Sequence, residues 1–194
     1  MLFFEMNLSS IFLVIFLALS FHKISNGAVP EHSGLTDEWH LLNYLNAFHN
    51  HSYNLKALAL SFKDRYVNMY GFARYFEKLS EKNYLIARKF EDFLIKRNRE
   101  IFLSDLTIVT VFKHANISDH KTEEKINLIL SMESQLFHDL KQNNLQKHHT
   151  LHFLMKIMTE KLSDVYNLRM LLAQYTRMNS TVGLFLMDQT LMKQ

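Results

Sequence analysis

The sequence has no cysteine, one proline and only four glycines in 194 residues. The absence of cysteine excludes a disulfide scaffold and thiolate metal sites. The scarcity of proline and glycine excludes collagen-like repeats and leaves few positions for hairpin turns. What the chain does contain is 48% hydrophobic residues and 13% aromatic residues. Leu, Lys and Met, all good helix formers, are common, so the composition predicts an all-α protein with one substantial core.

Concentrated charge of one sign is also missing. The formal net charge is +3, and the basic and acidic residues alternate along the chain without a lysine or arginine tract. Because proteins that bind nucleic acid usually carry a concentrated basic face, we expect no nucleic-acid partner. Glycine-rich phosphate loops, dinucleotide motifs and hydrolase motifs are absent from the sequence as well.

The N-terminus carries an apolar run of about fourteen residues, Leu8 to Phe21. A membrane-spanning helix needs about twenty such residues, so the run is short for one. Small and polar residues follow it, which predicts a secretory signal peptide in residues 1–27 and an N-terminal extension in residues 28–36. The run is preceded by Glu5 and by no basic residue, so an uncleaved anchor is the alternative. We expect a secreted or secretory-lumen protein that leaves the membrane after cleavage. The glycosylation sequons at Asn50, Asn116 and Asn179 suit that route.

Apolar residues recur every three or four positions in four long segments and one short segment. Thr36, followed by two acidic residues, predicts the start of a first helix that runs to about Lys63. The second helix ends near Arg97–Arg99, the third begins around Ser118–Asp119, the fourth carries a stripe from Leu151 to Leu172, and the fifth covers Val182 to about Met192 behind the capping residues Asn179–Thr181.

The second and third helices are separated by a long segment, Glu100–Asn116, that loses helical period and is rich in Ile, Val, Thr and Phe. A helix of 27 residues is about 40 Å long, and twenty extended residues reach about 60 Å. The segment can therefore cross the whole bundle, which would place the third helix parallel to the second. A single long crossover is the topology of ferritin-like bundles.

At these residues the chain resembles ferritin. The most specific stretch is Gly71 to Leu106, which is similar to the second helix and following linker of ferritin subunits. Leu130–Glu133 resembles part of the third helix, Thr159–Leu162 part of the fourth, and Leu186–Leu191 the fifth-helix Leu-Phe-Asp-x-x-Thr-Leu pattern with one residue deleted. The resemblance covers about residues 38 to 192 and implies a ferritin-like domain over residues 37–192.

The resemblance implies a shell of 24 subunits that stores ferric iron as cargo, with a di-iron ferroxidase centre in heavy-type chains. In the same register, most residues of that centre, including a tyrosine near the metal ligands, are replaced here. The replaced positions are Phe48, Leu55, Asn83, Ile86 and Lys161, and Glu133 is the sole retained ligand. One ligand does not hold two iron ions, so we expect no ferroxidase activity, no catalytic residues and no cofactor at an intact site within the subunit.

The hydrophobic pattern also argues against an intact di-iron site, and it does so independently of the ferritin resemblance. Glu133 and Lys161 are the only charged residues on otherwise apolar stripes of the third and fourth helices. Because a lone charge in a core costs several kcal/mol, we predict that the two form a buried ion pair, with Asn83 adding a hydrogen bond. The alternative is that Lys161 extends to solvent and Glu133 is hydrated.

Histidines are the remaining candidates for metal binding. His148 and His152 share one face of the fourth helix and could hold a soft or borderline metal ion, although a solvated helix end is the simpler interpretation. His51 is interpreted as a surface or packing residue. The sequence predicts a non-catalytic structural subunit of a secreted ferritin shell that works in iron storage and iron homeostasis together with heavy-type chains. The alternative is a secreted helical-bundle interaction protein that has lost shell assembly and iron storage.

Overall fold

The structure is a computed structural model that describes residues 33–65, 67–97, 99, 101, 106–107, 121–142, 148–178 and 180–193. The side chains of residues 33–37, 148 and 149 are outside this description. The predicted signal peptide and the sequons at Asn116 and Asn179 also lie outside the described residues. The compact helical unit spans residues 37–194, and residues 1–36 belong to a separate unit.

The described residues form five helices and no strand. The helices are α1 (Ser33–Lys63), α2 (Tyr70–Ile95), α3 (Thr122–Gln142), α4 (His148–Arg177) and α5 (Thr181–Lys193). The predicted all-α fold, with four long helices and a short C-terminal helix, is confirmed. None of the described helices has an apolar stretch long enough to cross a bilayer.

Three predicted helix ends differ from the structure. α1 begins at Ser33 instead of Thr36, so its first turn includes Gly34 in spite of the low helix propensity of glycine. α2 ends at Ile95, before the predicted Arg97–Arg99, because Arg97 N–H turns back to the Leu94 carbonyl. α3 begins at Thr122 instead of Ser118–Asp119, which places two glutamates in its first turn, where the helix dipole favours acidic groups.

Two apolar clusters fill the bundle, one at each end. The cluster at the α5 end contains the C-terminal half of α1, the N-terminal halves of α2 and α3, the C-terminal half of α4, and Met187 and Leu191 of α5. The far cluster contains the N-terminal half of α1, the C-terminal halves of α2 and α3, and the N-terminal half of α4. α2 and α3 therefore run parallel, and the chain between them returns from the far end to the α5 end, as the crossover prediction requires.

α5 is docked on the first turn of α2 by two polar contacts. The Asp188 carboxylate accepts a hydrogen bond from Phe72 N–H at 3.0 Å, so it occupies a capping position at the positive end of the α2 dipole. Arg74 donates to the Met192 carbonyl at 2.8 Å, near the C-terminal end of α5. Gly71 makes this approach possible because a Cβ there would lie 1.9 Å from the Asp188 carbonyl oxygen. Ser180, one of the predicted capping residues, accepts a hydrogen bond from Gly183 N–H at 3.1 Å at the start of α5.

We predict that Gly71→Ala destabilises the protein by about 2 kcal/mol or more, because the added methyl group forces α5 away from α2. Urea unfolding measures the loss, and hydrogen exchange across residues 181–193 should rise selectively. Ser163→Ala on the exposed face of α4 is the control and should change neither quantity. A stable Gly71→Ala variant with a protected α5 would contradict the proposed packing.

Candidate functional site

A layer of buried polar side chains separates the two apolar clusters. Each of the four long helices contributes one residue at mid-height, namely His51 from α1, Asn83 from α2, Glu133 from α3 and Lys161 from α4. Asn83, Glu133 and Lys161 are fully buried, and His51 is 5% exposed. Asp164, one turn beyond Lys161 on α4, is also 5% exposed and completes the layer. We call these five residues the polar layer.

Lys161 is the central group of the polar layer. Its ammonium forms an ion pair with Glu133 Oε2, lies 3.2 Å from Asp164 Oδ2 and donates a hydrogen bond of 2.9 Å to Asn83 Oδ1. The ammonium is also 5.7 Å from the centroid of the Phe48 ring. The predicted ion pair between Glu133 and Lys161, with Asn83 as an additional partner, is therefore present in the structure. The alternative in which Lys161 reaches solvent is wrong, since Lys161 has no exposed surface.

Glu133 receives contacts from three helices. Asn83 Nδ2 donates to Glu133 Oε1 at 3.1 Å, and His51 Nδ1 lies 3.5 Å from the same oxygen. Burial alone would raise the pKa of the Glu133 carboxyl group, but the Lys161 ammonium and His51 outweigh it and lower that pKa to about 2. Glu133 is therefore a carboxylate over the whole physiological range.

Asp164 links the polar layer to the surface between α2 and α4. Its Oδ1 accepts a hydrogen bond from Lys82 at 2.5 Å, while its Oδ2 faces Lys161. The two carboxylates are thus matched by two ammonium groups, so the formal charges in and next to the polar layer cancel. Burial, with smaller contributions from Asp164 and Glu133, raises the pKa of the neighbouring Tyr75 to about 12. Tyr75 therefore stays neutral and adds no further negative charge.

The sequence pattern missed His51 and Asp164. His51 was expected at the surface or in ordinary packing, whereas the structure places it within 3.5 Å of Glu133. The sequence does contain a feature that indicates the buried position of His51. His51 lies three residues after Phe48 and four residues before Leu55, which are core residues on the same face of α1. Asp164 lies three residues after Lys161, a spacing that brings two side chains together on a helix, and that spacing could have identified it.

The other predicted positions have simple locations. Phe48 and Ile86 are buried in the far cluster, and Leu55 is buried in the cluster at the α5 end. The His152 side chain is exposed, and that of His148 lies outside the described side chains, so this pair stays a prediction. Asn50 is half-buried within α1. In the part of the chain that the structure describes, no three His, Asp or Glu side chains gather closely enough to hold a metal ion.

The fold class is that of a four-helix bundle with one long crossover and a short fifth helix. A structural comparison identifies it as the ferritin fold. The crystal structure of a ferritin from the multicellular green alga Ulva pertusa matches with a TM-score of 0.73 and 21% sequence identity, over 90% of this chain and 94% of that chain. No protein-family model and no curated protein matches the sequence.

The residues of the polar layer do not fit the di-iron centre that the ferritin resemblance implies. Iron ions bridged by carboxylates need several oxygen and imidazole donors around an open volume. Here that volume holds the Lys161 ammonium, and the two carboxylates next to it are both committed to ion pairs. Three further positions that the resemblance assigns to the centre hold the buried apolar side chains of Phe48, Leu55 and Ile86. The arrangement stabilises a positive side-chain charge and offers no binding position for a second cation.

We predict strong energetic coupling between Lys161 and Glu133. Lys161→Met should destabilise the protein by about 3 to 5 kcal/mol, because it leaves two buried carboxylates facing an apolar group. Glu133→Gln should cost less, since Asp164 still pairs with Lys161. The double variant should lose less than the sum of the two single losses in urea unfolding. Lys156→Met, at an exposed lysine of α4, is the control and should be close to neutral. Additive losses would show that the pair does not interact.

The lowered pKa of Glu133 gives a second prediction. The folded-state pKa is about 2, below the ordinary value of 4.5, so the stabilisation is complete above pH 4.5 and disappears as the pH falls towards 2. Between pH 6 and pH 3 the wild-type protein should lose on the order of 2 kcal/mol more free energy of unfolding than Glu133→Gln loses. Urea titrations of both proteins at the two pH values measure the difference. Equal losses would mean that Glu133 titrates normally.

Proposed function

We propose that this chain is a non-catalytic structural subunit of a ferritin-type iron-storage shell. The observation that carries the proposal is the buried Lys161 ammonium at the midpoint of the bundle, where the ferritin resemblance places the metal ions. The Lys161 ammonium contacts oxygen atoms of Glu133, Asp164 and Asn83, so it places a positive charge in the core without a metal ion. The chain keeps the fold needed for a shell and gives up the chemistry of iron oxidation.

Exposed apolar residues on α4 and α5 support assembly. One face of α4 carries Leu151, Met155, Leu162, Tyr166 and Met170, each at least 44% exposed. On α5, Val182, Phe185 and Leu186 are 68%, 62% and 56% exposed. Apolar rows of this kind mark protein–protein contact surfaces, because a monomer would leave them in water. They supply the contact surface that a shell subunit needs, whereas the alternative interaction protein would use the same surface for a different partner.

The surface between α2 and α4 supports a division of labour with other subunits. Lys82 binds Asp164, and Lys89 lies 3.1 Å from Glu160. Lysine pairing neutralises these carboxylates, so this face supplies few free acidic groups for ferric iron. We therefore propose that heavy-type ferritin chains, with intact ferroxidase centres, share a 24-subunit shell with this chain and oxidise the iron that the common cavity stores. The predicted signal peptide in residues 1–27 motivates the further proposal that the shell assembles in the secretory pathway and is secreted.

We predict that the purified chain oxidises Fe(II) no faster than buffer and that co-expression with a heavy-type ferritin gives a mixed shell containing iron. Native mass spectrometry should show a particle of about half a megadalton, the mass of 24 chains of this length, with both subunits present. The heavy-type ferritin alone is the control for the oxidation rate and for iron loading.

Two outcomes would contradict the proposal in different ways. Anomalous scattering from a pair of iron ions beside Glu133 would show that the chain is itself a ferroxidase. A metal-free monomer of about 20 kDa that never enters the shell of a heavy-type ferritin would support the secreted interaction protein instead.

A further inference from the structure

Three asparagines occupy one face of α1, at intervals of four positions. They are Asn46, Asn50 and Asn54. Asparagine is a poor helix former because its side chain competes for backbone hydrogen bonds. A row of three in the interior of a long helix therefore calls for an interaction that compensates for this preference.

The compensating interaction is with the backbone of the crossover. Thr107 N–H donates a hydrogen bond to Asn46 Oδ1 at 3.1 Å, and the Thr107 carbonyl accepts one from Asn50 Nδ2 at 2.9 Å. Asn50 Nδ2 is also 3.4 Å from Asn46 Oδ1, so the two side-chain amides support each other. Asn54 Nδ2 donates to the Asn50 carbonyl at 2.9 Å, one turn further along the row. Both backbone groups of a single crossover residue are thus paired with side chains of α1.

Apolar contacts position the same part of the crossover. Ile101 and Leu106 pack against the far cluster, which brings Thr107 next to α1. A segment outside helices and strands cannot satisfy its backbone N–H and carbonyl groups by regular hydrogen bonds, so these groups need other partners. Here Asn46 supplies an acceptor for Thr107 N–H, and Asn50 supplies a donor for the Thr107 carbonyl.

We propose that Asn46 and Asn50 form a clamp that holds Thr107 of the crossover against α1. This inference does not depend on the proposed iron-storage function. It also assigns a structural role to a glycosylation sequon. Asn50 Nδ2 is the atom to which a glycan would be attached, and in the folded chain that atom is bonded to the Thr107 carbonyl. A glycan replaces one of the two Nδ2 hydrogens, so a glycosylated Asn50 keeps a single N–H for its two acceptors, the Thr107 carbonyl and Asn46 Oδ1.

The two asparagines have opposite roles, and aspartate substitutions separate them. Asn46 acts as an acceptor towards Thr107, so Asn46→Asp keeps an oxygen at the same position and the clamp should stay closed. Asn50 acts as a donor, so Asn50→Asp places a carboxylate against the Thr107 carbonyl and the clamp should open. Asn43→Asp, at another asparagine of α1 with no side-chain hydrogen bond to the described residues, controls for the added charge on this helix.

Hydrogen exchange measured by mass spectrometry on the full chain, over peptides that cover residues 101–107, tests the clamp. Exchange should rise at least tenfold in Asn50→Asp and in Asn46→Leu, and should stay at the wild-type rate in Asn46→Asp and Asn43→Asp. Unfolding temperatures of all variants show whether a change is local or global. Equal exchange in Asn50→Asp and Asn43→Asp would overturn the proposal.

Discussion

The structure depends on one buried ion pair, between Lys161 and Glu133. A buried charge without a partner would cost several kcal/mol, so Glu133 depends on Lys161, while Lys161 has Asp164 as a second carboxylate partner. Because the two residues lie on α3 and α4 and are joined by Asn83 from α2 and His51 from α1, the pair fixes the relative height of all four long helices. Apolar residues at these positions would pack equally well at several relative positions of the helices along the bundle axis. The two opposite charges can pair at only one of them.

The polar layer also explains why the core is divided. Above and below it the helices contribute phenylalanine, leucine and isoleucine to two separate clusters, including the closely packed rings of Phe62, Phe72 and Phe76. Hydrophobic burial in these clusters supplies most of the driving force for folding. The polar layer adds little net stability, since desolvation of the charges offsets their attraction. Its contribution is to specify one arrangement of the helices.

The sequence predicted the long helices, the direction of the crossover, and Glu133, Lys161 and Asn83 as interacting residues. These features follow from periodicity, because a polar residue on an apolar stripe must face the core and must find a partner there. His51 and Asp164 were missed for a different reason. Both lie at the edge of a stripe, where the same spacing is found for surface residues, and only the positions of neighbouring helices decide which way the side chain turns. The helix ends were also displaced by a few residues, since they depend on local backbone hydrogen bonds such as that from Arg97 to Leu94.

The difference between an ammonium and a metal ion determines what such a bundle can do. A divalent ion in a carboxylate site can exchange with solvent and can bind oxygen-containing molecules at open coordination positions. The Lys161 ammonium is covalently attached, carries a single charge and directs its contacts to Glu133, Asp164 and Asn83. It therefore has no open coordination position and cannot change its charge by accepting or releasing electrons. We infer that Lys161 has a structural role in this layer, because it joins α4 to Glu133 of α3 and to Asn83 of α2.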